Sequence, residues 1–123
     1  MGLFNKIQAA TSGSMLEMAQ VRQILEPNEE IIEELSCSLA MRMRDIDGIL
    51  VLTNKRVIYL QRGFVAGNDL ITWNLDTCQM QASGIGRMAY LAVSGPEGQR
   101  QFKIGVAFQG RDFVAKFEQT KNS

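Results

Sequence analysis

The chain of 123 residues is 46% apolar and 21% charged, a globular mixture within the size of one domain. Thirteen Lys and Arg balance thirteen Asp and Glu, which argues against a nucleic-acid binder, since these carry a basic excess. Histidine is absent, which removes the commonest general base and metal ligand. No cofactor and no metal site are expected.

The first 26 residues read as helical. Leu3, Phe4, Ile7 and Ala10 form one apolar stripe, and Thr11 to Ser14 break it. Ser14 and Glu17 stand at capping-box spacing. Met15, Met18, Val21 and Leu25 then form a second stripe, and Pro27 ends the helix because the residue before proline is pushed out of helical dihedrals. The longest uninterrupted apolar run, Met88 to Val93, is far too short to span a bilayer. The N-terminus lacks a basic segment followed by an apolar one, so no secretory signal is expected. Lys6 stands where a myristoylation pattern wants Ser or Thr. Cys37 and Cys78 lack metal spacing and read as free thiols in a reducing, cytoplasmic setting.

After Pro27 the period changes to two. Leu35, Cys37, Leu39, Met41 and Met43 alternate with polar or small residues, predicting a long first strand with one buried face. Asp45 to Gly48 supply a turn, and Ile49 to Leu52 begin a second strand. Thr53-Asn54-Lys55-Arg56 is a tight connection in which Asn54 is suited to a positive φ. Further strands are predicted at Val57–Gln61, Leu70–Leu75, Thr77–Ala82, Arg87–Ser94 and Gln99–Val106. Near Gly110 the period turns helical again, with Phe113, Val114 and Phe117 on one face. The expected organisation is a helical leader at 1–27, a domain at 28–119 and a frayed tail at 120–123.

Seven strands and a closing helix follow the order of a pleckstrin-homology-like (PH-like) barrel. The run from Gly48 to Leu60, with Thr53-Asn54-Lys55-Arg56 between two apolar strands, resembles the hairpin of bacterial PH-like domains. The opening Met1-Gly2-Leu3-Phe4-Asn5-Lys6 and the acidic stretch Glu26 to Glu30 resemble one family of small bacterial proteins of this kind. Related GRAM and YokE-like domains share the hairpin. The resemblance implies a mainly β (α+β) fold, with seven antiparallel strands in two orthogonal sheets capped by the C-terminal helix. It also implies a homo-oligomer, since bacterial relatives form homo-oligomeric rings. Phe113 and Phe117 occupy the helix face where eukaryotic PH domains carry a tryptophan.

Two candidate surfaces emerge. Arg42 and Arg44, two residues apart, share a face if their strand continues, and two guanidiniums can grip one phosphate. Loops at Arg44–Gly48, Arg62–Asn68 and Ser94–Gly98 are expected at one barrel end, where Arg62 joins the pair. Asp45 and Asp47 oppose that potential; they lack the further oxygen ligands of a metal site and the apolar pocket of an acid/base pair. Lys55 and Arg56 are expected at the opposite end, holding the turn. Gly84-x-Gly86 lacks the third glycine of a dinucleotide fingerprint. The second surface is the leader. A PH-like barrel has no obvious groove for the stripes Leu3, Phe4, Ile7 and Met15, Met18, Val21, Leu25, which predicts a homo-oligomer interface, with packing within the chain or insertion at a membrane surface as alternatives. The expected function is a self-assembling, non-enzymatic protein-interaction module, with no catalytic residue. The alternative is anionic lipid or phosphate binding through Arg42, Arg44 and Arg62.

Overall fold

Alternating strands that each bury one face must close on a shared core, and the order of pairing decides how. The computed structural model describes residues 12–62 and 70–123, with side chains from residue 18 onward. Helix α1 (Ser12–Ile24) leads into β1 (Ile31–Ala40), β2 (Asp45–Thr53), β3 (Arg56–Gln61) and β4 (Leu70–Asn74). Strands β5 (Gln79–Ile85), β6 (Met88–Gly95) and β7 (Gly98–Ile104) follow, and helix α2 (Ala107–Lys121) closes the chain. The leader positions Leu3, Phe4 and Ile7 and the Met15 side chain lie outside the described residues.

The expected seven antiparallel strands and closing helix are present, and the strands are hydrogen-bonded into one sheet in the order β4-β3-β2-β1-β7-β6-β5. Strand β1 joins the two halves. It pairs with β2 from end to end, but with β7 only at Ser38↔Lys103 and Leu39↔Phe102. So short a ladder lets the halves bend across each other, and side chains from both meet in one core. Tyr59, Trp73 and Phe102 meet there, with Trp73 edge-on to Phe102 at 6.2 Å between ring centroids. The Trp73 indole N–H donates to the Gly98 carbonyl at 3.0 Å, tying β4 to the start of β7. Phe113 and Phe117 of α2 complete this core, and the helix runs on to Lys121, into the expected tail.

Leu35, Cys37 and Leu39 are buried as the alternation predicts. The strand stops at Ala40, however, so Met41 and Met43 leave the pattern and stand exposed in the β1–β2 connection. Asn54 does not take the positive φ expected of it. Among the described non-glycine residues only Asn28 does, at 67°.

A second apolar cluster lies on the other face of β2 and β3. Ile49, Val51, Ile58 and Leu60 pack there against Met18 and Val21 of α1, with Ile24, Leu25 and Ile31 at the margin. The two-sided apolar run Ile49-Leu50-Val51-Leu52 thus serves both cores. Met18 and Val21, expected at an interface between copies with packing within the chain as an alternative, are buried against the apolar outer face of β2–β3, and Leu25 is half-buried beside them. Full burial of each such side chain is worth about 1.5–3 kcal/mol, enough to hold a short helix in place.

Gly48 allows a close approach. A Cβ there would fall 2.4 Å from the Leu60 carbonyl oxygen and 2.8 Å from the Tyr59 ring. Gly48→Ala is therefore expected to lower stability by about 1–3 kcal/mol, measured by urea denaturation.

Candidate functional site

The Thr53-Asn54-Lys55-Arg56 connection does more than turn the chain. Arg56 places Nε 2.9 Å from Oε2 of Glu29 and Nη2 3.1 Å from Oε1, a two-point grip on a buried carboxylate. The same Nη2 donates to the Ile24 carbonyl at 2.9 Å, capping the last residue of α1. The Thr53 hydroxyl donates to Glu29 Oε2 at 2.7 Å, and the Glu26 amide donates to Oε1 at 2.9 Å. Asn54 accepts from the Glu30 amide and donates to the Asn28 carbonyl, while Lys55 donates to the Pro27 carbonyl. The connection therefore clamps the link between α1 and β1. Burial alone would push the Glu29 carboxyl up. The hydrogen bonds from Arg56, Glu26 and Thr53 outweigh it, and the group sits below its ordinary range.

Arg42 and Arg44 lie in the β1–β2 connection, outside any strand, so shared strand-face geometry does not pair them. Arg62, at the end of β3, donates its amide to the Asp47 carbonyl at 2.8 Å and so stands at the same end of the sheet. The neighbouring acids are engaged: Asp45 pairs with Lys103 at 2.8 Å, and Asp47 accepts from the Ser38 hydroxyl at 2.6 Å. Among the described residues the three guanidinium groups have no side-chain partner. The Gly95–Gly98 turn, expected beside them, packs elsewhere. Glu97 accepts from the Asn74 amide and Gly98 from Trp73, which places this turn by the β2–β3 connection. A polar cleft of about 480 Å³ lies there, lined by Asn54, Lys55, Asn74, Asp76 and Glu97.

Reactive chemistry is scarce among the described residues. Burial drives the Cys37 thiol far up and pushes Cys78 up to about 11, so neither forms a ready thiolate. Among the described residues no group of three or more His, Cys, Asp or Glu is placed to hold a metal ion, and no helix is long and apolar enough to cross a membrane.

The sequence reading missed a third region. Ile85 and Met88 pair across the β5–β6 turn and are 87% and 70% exposed. The Ala107 amide donates to the Gly86 carbonyl at 3.0 Å, bringing Val106 and Phe108 to the same place, Phe108 being 66% exposed. Helical phase held the signal: five positions before Phe113, Phe108 lies about 140° away from the buried stripe.

Neither a family model nor a curated protein sequence matches the chain. Solved structures do. The Vps36 N-terminal PH domain superimposes with a TM-score of 0.60 at 20% identity, over 80% of this chain and 83% of that one. The fold is PH-like. The hSac2 domain from human phosphoinositide phosphatase Sac2 gives 0.60 at 14% identity, over 92% and 85% of the two chains. The DH/PH fragment of PDZRHOGEF, in complex with human RhoA, gives 0.59 at 9% identity; the match covers 96% of this PH-like chain and 38% of that one.

Removing Arg56 would leave the Glu29 carboxylate buried without its cation. Arg56→Met is expected to cost about 3 kcal/mol at neutral pH, read by urea denaturation. Because Glu29 titrates below its ordinary value of about 4.3, its contribution is present above that pH and lost as pH falls through the folded-state value. Glu29→Gln should therefore flatten the acid limb of the stability curve.

Proposed function

We propose that this PH-like domain is a non-enzymatic interaction module that assembles with itself and contacts protein partners. The observation carrying this reading is the apolar surface where Ile85 and Met88 at the β5–β6 turn meet Val106 and Phe108 at the start of α2. Concentrated exposed apolar side chains mark protein interfaces far more often than scattered ones do. The leader's described stripe is covered within the chain, so it no longer supports assembly, and the reading moves to this surface. Burial holds the Cys37 and Cys78 thiols protonated, which disfavours thiolate chemistry at either position. Fold alone does not choose between binding partners. One structural neighbour, the PDZRHOGEF fragment, was solved with a protein bound to it.

Light scattering tests this. The chain is expected to exceed monomer mass at micromolar concentration, and Ile85→Ser with Met88→Ser is expected to weaken association at least tenfold without altering the thermal melt. A strict monomer would overturn the reading.

A second reading, anionic lipid or phosphate binding, is favoured by the guanidiniums of Arg42, Arg44 and Arg62, which have no side-chain partner among the described residues. It expects Arg42→Ala with Arg44→Ala to abolish sedimentation with phosphatidylserine vesicles. Unchanged sedimentation would remove it.

A further inference from the structure

Two surfaces of this chain match each other. The first is the β1–β2 connection, where Arg42 and Arg44 flank Met43, 90% exposed, and have no side-chain partner among the described residues. The second is a groove of about 350 Å³ between the first half of β1 and the start of α2. Phe108 forms its apolar wall, and Glu33, Glu34 and Asp112 supply three carboxylates. Lys116 is the cation at this groove, and it is already engaged with Glu33 and, at 3.6 Å, with Asp112. Arg111, on the same helix, is outside the groove lining. Glu34 has no side-chain partner among the described residues, and the lining remains net acidic.

We infer that the Arg42-Met43-Arg44 turn of one copy docks into the Glu34–Phe108–Asp112 groove of another. This rests on the self-assembly reading: the groove shares Phe108 with the apolar surface of Ile85, Met88 and Val106, and the basic turn is what meets that face in a second copy. Each arginine meets a carboxylate, and the Met43 thioether meets the Phe108 ring, a favourable sulfur–aromatic contact. The occupant is a second copy because the turn cannot reach its own groove. Ser36, on the groove wall, and Ala40, where β1 ends, are four residues apart along the strand, about 13 Å at strand rise, and the turn lies beyond Ala40. Charge balance points the same way. A chain of net charge zero gains little general attraction to an anionic surface, whereas segregated patches of opposite sign attract each other. The contact joins two different patches, so it is heterologous, and it propagates into a closed ring or an open filament.

Complementary variants of the full chain test the pairing by analytical ultracentrifugation. Arg42→Glu with Arg44→Glu disables the turn; Glu34→Lys with Phe108→Ser disables the groove. All four positions lie at least partly at the surface, and an unchanged circular-dichroism melt verifies the fold. Wild type is expected to assemble, and each variant alone to remain monomeric where wild type is associated. An equimolar mixture is expected to stop at a one-to-one dimer, since it holds one intact turn and one intact groove. A monomeric wild type would overturn the self-assembly reading itself. Assembly by wild type and both variants alike would overturn only the turn–groove pairing, as would a mixture that stays monomeric. Arginine variants that assemble normally but lose phosphatidylserine vesicles would assign the turn to lipid and overturn the inference.

Discussion

A single buried carboxylate decides how this chain is organised. Glu29 would be costly to bury alone. Arg56, Thr53 and the Glu26 amide surround it with charge-assisted hydrogen bonds and make the site tolerable. Because Arg56 sits in the β2–β3 connection and also caps α1 through the Ile24 carbonyl, the acid fastens helix to sheet. The four-residue connection is at once a hairpin turn and a clasp.

That clasp determines which apolar surface stays open. With α1 held across the outer face of β2 and β3, Met18 and Val21 are used within the chain, and the second face of the Ile49–Leu52 run is satisfied. Of the large apolar side chains that stay exposed, Ile85, Met88, Val106 and Phe108 gather on the other half of the sheet. Interaction through that region leaves both cores undisturbed.

Charge follows the same division. At the β2–β3 connection cations and anions are matched, Arg56 to Glu29 and Lys55 to Glu26. At the β1–β2 connection the acids are engaged by Lys103 and Ser38, while the arginines remain available. An electrically neutral chain thus presents one basic turn and one acidic groove. Such segregation gives orientation and specificity to an encounter more than raw affinity.

Much of the architecture was legible in the residues. Period-two alternation marked Leu35, Cys37 and Leu39 as inward, turn chemistry separated the strands, and the Phe113–Phe117 stripe announced the closing helix. These signals are local, because a side chain's face is set by backbone geometry a few residues wide. Periodicity says which side chains need cover but not what supplies it, so the destination of Met18 and Val21 depended on the outward residues of β2 and β3. Strand ends depend on pairing partners, and β1 loses them after Ala40, which carried Arg42 and Arg44 off the strand face. The clasp of Glu29 by Arg56, 27 positions apart, existed only once the chain had folded and brought the two ends together.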